Sequence, residues 1–197
     1  MQQGNIRNSG LAGSEDNQLM VLISGADQAA FTVLYNRWAG RIRYFFLRLY
    51  NYNSDAADDR TQDTFLKVLE NASKFDTGQR FSPWLYAIAY NLYKNDLRRR
   101  QQELTYQETA VAASVSELPH AERKMEIRSS AEFVNKYLDK LDPDVKTIFI
   151  LRHAEELSVP EIARVTGCPE GTVKSRLFYA MKKIVENLQP YKINEWI

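Results

Sequence analysis

Apolar residues recur at helical spacing in two blocks of this chain, and a polar stretch without such a stripe separates them. In the first block the pattern predicts four helices. They are Gln18–Ser24, a long one from Gln28 to near Tyr50, Ser54–Asn71, and one from Ser82 to near Gln102. The second carries Phe31, Leu34, Tyr35, Trp38, Ile42, Phe45, Phe46 and Leu49 along one side. The fourth has a start signal, with Ser82 as cap and Pro83 at the first helical position, where its missing N–H costs nothing. In the second block the pattern gives Ala131–Leu141, a break at Asp142-Pro143, and a helix from Pro143 to near Ala154. A short helix Pro160–Thr166 and a long one from Glu170 to near Leu188 follow. The fold expected is all-α: two small helical domains joined by a flexible linker. The boundaries are a mobile tail over 1–16, a first domain over 17–102, the linker over 103–128 and a second domain over 129–190.

Composition narrows the possibilities. Twenty-six Lys and Arg against 25 Asp and Glu leave a formal charge of +1, so bulk attraction to a polyanion is excluded. Eight Gly and 6 Pro are too few for a turn-rich all-β fold. No run approaches the ~18–20 apolar residues of a membrane span, and the start lacks the apolar stretch of a signal peptide, so a cytoplasmic chain without stable membrane insertion is expected. Cys168 as sole cysteine excludes an internal disulfide, and two histidines leave little for a metal centre; neither metal nor cofactor is expected.

Three patterns carry chemistry. Ser158-Val159-Pro160-Glu161 has the form of a capping box, Gly167-Cys168-Pro169 that of a turn, and Glu170 opens a second helix: a helix-turn-helix. On that second helix Val173, Leu177, Ala180, Met181, Ile184 and Leu188 are expected to face the core. Thr172, Lys174, Ser175, Arg176, Phe178, Tyr179, Lys182 and Lys183 are then left outward, donors and aromatics suited to a major groove. Next, Asp55, Asp58, Asp59, Gln62 and Asp63 recur on one flank of a helix near its N-terminus. Such a stripe is a solvated face, a divalent-metal cluster or a docking surface for a basic partner. Last, the loop Phe75–Phe81 and the helix bearing Trp84, Tyr86, Tyr90, Asn91, Tyr93, Lys94 and Asn95 mix aromatics, amides and cations, a surface able to stack on unpaired bases. Trp84, Leu85, Ile88 and Tyr86 are assigned to the core instead.

The second block from Leu141 to Arg152, with Leu157-Ser158, Glu161-Ile162-Ala163 and Gly171-Thr-Val-Lys-Ser-Arg-Leu177, resembles region 4 of bacterial sigma factors of the extracytoplasmic-function group. Ala57-Asp-Asp-Arg-Thr-Gln62-Asp63-Thr-Phe65 and Phe81-Ser-Pro-Trp84 through Arg98-Arg99-Arg100 resemble region 2 of the same family. The resemblance covers residues 18–190 and implies a non-enzymatic subunit that directs RNA polymerase to promoters. It implies docking of Asp55, Asp58, Asp59, Gln62 and Asp63 on the β′ clamp helices, and contact of the second domain with the β flap. The −10 element would meet Asn71, Lys74, Asp76, Arg80, Asn91, Lys94, Asn95, Arg98 and Arg99. The −35 element would meet Arg152, Lys174, Ser175, Arg176 and Phe178, with Thr172 and Tyr179 beside them. An anti-sigma factor is a further implied partner. The alternatives are a free-standing helix-turn-helix regulator and a metal-dependent nuclease built on Asp55, Asp59 and Asp63. Four positions depart from the family pattern: Arg60 and Thr61 replace apolar residues, Glu156 replaces Gly, and Tyr179 stands where a base is common.

Overall fold

The computed structural model describes residues 10–110 and 137–188, and within them every regular element is helical. In chain order the main helices are α1 (Asp16–Ser24), α2 (Gln28–Leu49), α3 (Ser54–Asn71), α4 (Phe81–Ala110), α5 (Pro143–His153), α6 (Val159–Thr166) and α7 (Glu170–Leu188). A short 3-10 turn, Ala72–Lys74, follows α3. The expectations for residues 1–9, 111–136 and 189–190, among them most of the helix expected over 131–141, lie outside the described residues.

Local chemistry sets the helix starts. Asp27 accepts from the Ala29 and Ala30 amides at 2.9 and 3.0 Å, Asn53 from Ala56 at 3.0 Å, and Asp142 from Asp144 at 2.9 Å, satisfying amides that have no partner inside the helix. At α6 the Ser158 amide donates to Glu161 at 2.8 Å while the Ser158 hydroxyl accepts the Glu161 N–H at 3.4 Å: the capping box is formed. Gly167, at φ 70°, closes α6 in the left-handed region that an α-carbon without a side chain adopts freely. Helix α4 differs from expectation at both ends. It starts one residue before Ser82, leaving Pro83 still in the first turn, and it runs to Ala110, eight residues into the stretch read as linker.

In the first block α2 is the central element, flanked by α1 and α3, with α4 packed against α3. Leu34, Ile42, Phe45 and Phe46 on α2 meet Leu19 and Met20, Phe65 and Val68, and Leu85 and Tyr86, all fully or nearly fully buried. Each such side chain contributes roughly 1.5–3 kcal/mol through burial. In the second block α5, α6 and α7 enclose Ile148, Leu151, Leu157, Ile162, Val165 and Val173. The two cores are continuous: α4 packs along α6, and α2 touches α5.

Two expectations about facing are corrected. Met181 is 42% exposed, because the buried row of α7 runs through Val173, Ala180 and Ile184 and Met181 sits about 100° further round. Tyr90 and Tyr93 are buried and so are unavailable for stacking on bases. Trp84, Leu85, Ile88 and Tyr86 do lie in or against the core.

The chain leaves α5 through Glu156 at φ 57°, and the Leu157 amide donates to the Leu151 carbonyl at 3.0 Å. That is a helix ending whose left-handed residue is usually Gly. Replacing Glu156 by Gly is therefore expected to stabilise the fold by about 1 kcal/mol in urea titrations, whereas Glu156→Ala gains nothing.

Candidate nucleic-acid and protein interfaces

Along α3 the acidic stripe divides into two sets. Asp58 is taken by Arg43, whose Nε donates to it at 2.5 Å, and this hydrogen bond holds the Asp58 carboxyl below its ordinary range. Asp63 is taken by Arg60. Asp55, Asp59 and Gln62 are exposed, without a hydrogen bond or ion pair to another described side chain. Leu66 and Leu69 continue their face at 56% and 44% exposure, which the sequence reading missed although the helical spacing pointed there. The result is an acidic and apolar ridge on one helix.

Arg60 and Thr61, the departures from the family pattern, find local solutions. Thr61 returns its hydroxyl to the Ala57 carbonyl at 2.7 Å, and Arg60 Nε donates to Asp96 on α4 at 2.7 Å. Asp96 also accepts from the Tyr50 hydroxyl, so a buried polar chain replaces apolar packing beneath the stripe. Among the described residues no three His, Cys, Asp or Glu come together to hold a metal ion.

The candidates for single-strand contact fall into a row on α4, a group at the loop before it, and an outlier. Asn91, Lys94, Asn95 and Arg98 repeat at spacings of three and four on the outer side of α4, with Arg99 beside them, paired to Asp96 at 3.7 Å and Glu103 at 3.9 Å. Lys94 lies over the Tyr90 ring at 5.9 Å. Asn71 and Lys74 meet at 3.4 Å just before the loop, whose shape Asp76 sets by accepting from the Gly78 amide at 2.9 Å and from Gln79 at 3.2 Å. Asn17 on α1 pins the same loop through the Thr77 and Gln79 carbonyls, both at 2.8 Å. Arg80 is the outlier: its Nη1 donates to Glu161 of α6 at 2.7 Å.

On α7, Lys174, Ser175, Phe178 and Tyr179 are exposed, and Lys174 has only a long pair with Glu170 at 3.9 Å. Thr172 and Arg176 are half-buried. Arg176 donates to Asp144 at 3.3 Å, beside Cys168 Sγ at 3.5 Å, while the Tyr90 hydroxyl of α4 donates to the other oxygen of Asp144 at 3.0 Å. Arg152 is exposed, with Nη1 on the Leu157 carbonyl at 3.1 Å. Phe178, Met181 and Val185 make an outward apolar row on the same helix.

With this geometry in place, the comparisons are specific. Residues 34–103 match the family model for sigma-70 region 2, and residues 134–184 that for sigma-70 region 4. The RNA polymerase sigma-H factor of Pseudomonas aeruginosa is 32% identical over 188 residues, which span 91% of this chain and 97% of that one. The ECF RNA polymerase sigma-E factor of Haemophilus influenzae is 31% identical, over 89% and 96% of the two chains. The sigma factor RpoE of Bartonella quintana, solved in complex with the anti-sigma factor NepR, superposes with a TM-score of 0.64 at 25% identity, over 83% and 98%. The chain belongs to the sigma-70 family, as an extracytoplasmic-function sigma factor of RNA polymerase. It is a non-enzymatic factor that directs the polymerase to particular promoters.

Glu161 holds the helix-turn-helix start and the Arg80 contact together. Burial alone would raise its carboxyl pKa, but hydrogen bonds from Ser158 and the Arg80 guanidinium outweigh burial and leave it below the ordinary 4.5. Its stabilisation is thus present above the unfolded value and is lost as pH falls through the lower, folded one. Glu161→Gln is expected to cost about 1 kcal/mol at neutral pH. The gap from wild type should narrow in urea melts taken at decreasing pH below 4.5.

Proposed function

We propose a residue-level division of labour in which α3 docks on the polymerase, α4 holds the melted −10 strand and α7 reads the −35 duplex. The ridge of Asp55, Asp59, Gln62, Leu66 and Leu69 fits the β′ clamp helices, offering carboxylates to a basic partner and leucines to its apolar side. Asp58 and Asp63 serve that surface indirectly, since their own arginines already neutralise them. Asn91, Lys94, Asn95, Arg98 and Arg99 line a strand-binding face, with Asn71, Lys74 and the Asp76 loop at its entrance. On α7, Lys174, Ser175, Phe178 and Tyr179 reach the duplex with Thr172 beside them, and Arg152 contributes from α5. Arg176 joins once it leaves Asp144. The outward row of Phe178, Met181 and Val185 extends this reading to the β flap.

The observation that carries the proposal is the ridge on α3: three exposed polar groups without a side-chain partner among the described residues, continued by two exposed leucines, on a helix otherwise packed into the core. Among the described residues no helix is long and apolar enough to cross a membrane, and the work proposed places the chain in the cytoplasm with the polymerase and the chromosome. The complex of the Bartonella relative with NepR supports an anti-sigma factor as a partner here too.

Gel filtration with purified bacterial core RNA polymerase tests the docking. The wild type is expected to co-migrate and Asp55→Arg/Asp59→Arg to elute alone; equal binding by both would refute the ridge. In transcription from a promoter that this factor uses, Lys174→Ala or Arg176→Ala should weaken promoter binding by about 1–3 kcal/mol if that side chain reads a base edge. An unchanged promoter profile would remove it from the −35 set.

A further inference from the structure

The loop between α3 and α4 is a short span between two buried anchors. The rings of Phe75 and Phe81 are buried and meet edge to face, centroids 5.9 Å apart, and the residues between them, Asp76 to Arg80, are exposed. The anchors fix where the loop starts and ends. The shape of its tip is left to one four-residue turn, Asp76-Thr77-Gly78-Gln79, closed by the Gln79 amide on the Asp76 carbonyl at 3.0 Å. Such a turn has two common states, types I and II, related by turning over the central peptide, here Thr77–Gly78. A glycine at the third position makes type II readily accessible, because that state needs φ near about +80° there. Gly78 nevertheless stays out of it: among the described residues Gly167 is the one glycine at positive φ.

Both edges of that central peptide are held by side chains. The Gly78 N–H donates to the Asp76 carboxylate at 2.9 Å, and the Thr77 carbonyl accepts from Asn17 Nδ2 at 2.8 Å. The same Nδ2 donates to the Gln79 carbonyl, also at 2.8 Å, so Asn17 directs both of its N–H groups to the loop. Turning the peptide over would swing the Thr77 carbonyl away from Asn17 and the Gly78 N–H away from Asp76. Asp76 belongs to the turn and moves with it, whereas Asn17 does not. It sits half-buried in the first turn of α1, a helix that Leu19, Met20 and Ile23 seat in the core. Arg37 of α2 fastens the start of α1, donating to Asp16 at 2.6 Å and to the Ser14 and Ala12 carbonyls at 3.0 and 2.9 Å. Asn17 therefore ties the tip of the loop to a point fixed on the core.

We infer that Asn17 is a positioning residue for base selection at the −10 element: it holds the Thr77–Gly78 peptide in one of its two orientations and so fixes the surface that the loop presents to the melted strand. The inference rests on the reading above, in which the Asp76 loop stands at the entrance of the strand-binding face. Turning the peptide over exchanges the places of a carbonyl and an N–H at the tip. Base edges are told apart by their donors and acceptors, so the two turn states do not favour the same bases. Two neutral hydrogen bonds to the loop weight that equilibrium by on the order of tenfold or more. Asn17 itself need not touch DNA.

The test uses holoenzyme assembled from the full-length chain and bacterial core polymerase. Open-complex formation is measured on a promoter that this factor uses and on its single-base variants in the −10 and −35 elements. The wild type should favour its preferred −10 bases roughly tenfold over the substitutes. Asn17→Ala should cut that preference to about twofold, while the −35 preference and co-migration with polymerase stay at wild type. Asn17→Asp, which keeps the side chain's shape and removes both donors, should do the same, so that the loss cannot come from an unfilled space. Gly78→Ala tests the turn itself, since its methyl group disfavours the positive φ of the flipped state by about tenfold. That β-carbon meets nothing closer than Asp76 Oδ1 at 3.2 Å, the end of a movable side chain. With Gly78→Ala present, Asn17→Ala should have little further effect. The inference is overturned by an unchanged −10 preference in both Asn17 variants, by a loss shared equally between the −10 and −35 elements, or by an Asn17→Ala loss as large with Gly78→Ala as without it. Asp76→Ala, which frees the same peptide at its other edge, separates the two levels. A −10 preference lost in Asp76→Ala but kept in the Asn17 variants refutes the positioning by α1 alone, and one that survives all three refutes the role of the loop at the −10 strand.

Discussion

A carboxylate taken out of water must find hydrogen bonds or opposite charge, and Glu155 finds both across the junction of the two blocks. Its partners are Tyr86 on α4 and Arg41 and Arg48 on α2; none belongs to its own block. The position of α5 and α6 on α4 follows from that requirement, because displacing the second block would strand a buried anion and leave the Tyr86 hydroxyl without its acceptor. Nearby, Glu161 ties the same junction to the start of the helix-turn-helix. Its side chain caps α6 and receives Arg80 at once. The placement of the helix-turn-helix is therefore coupled to the hydrogen bonds and ion pairs of two glutamates.

Local chemistry made most of the helices legible. Ser54–Asn71 follows from the row Ala57, Thr61, Phe65, Val68, all buried, behind an Asn cap, and α5, α6 and α7 follow from Pro143, the Ser158 box and Gly167. Periodicity faltered where two faces of one helix are both apolar. Met181 shares apolar character with Ala180 but not its direction, and Tyr90 and Tyr93 are buried by the second block and by Tyr50, neighbours that no local pattern reveals. The acidic stripe on α3 could be read as a stripe, yet its division into paired and unpaired carboxylates depends on Arg43 and Arg60, and on Asp96 more than thirty residues away. Arg41 and Arg48 were invisible as a pair of interest because what distinguishes them is Glu155, over a hundred positions further on.

The near-zero net charge has a structural counterpart. Several basic side chains of the first block are matched with acids: Arg37 with Asp16, Arg43 with Asp58, Arg60 with Asp63 and Asp96, Arg80 with Glu161. Exposed pairs of this kind add little to stability, and their main effect is on the field the protein projects. A chain so neutralised projects little net field toward a polyanion.

These pairs are not equivalent in how they would respond to separation of the blocks. Arg37, Arg43, Arg60 and Arg176 keep their partners, since donor and acceptor lie in the same block, whereas Arg41, Arg48 and Arg80 are held by acids across the junction. Opening would therefore not raise the charge of the surface uniformly. It would free cations at α2 and at the start of α4, while the acidic and apolar ridge on α3, whose Asp55, Asp59 and Gln62 take no part in the junction, stays as it is. The proposed docking through α3 and the contacts that hold the two blocks together are thus physically separable. The first needs no rearrangement, and the latter contacts depend on Glu155 and Glu161, which hold Tyr86 and the arginines of α2 and α4 across the junction.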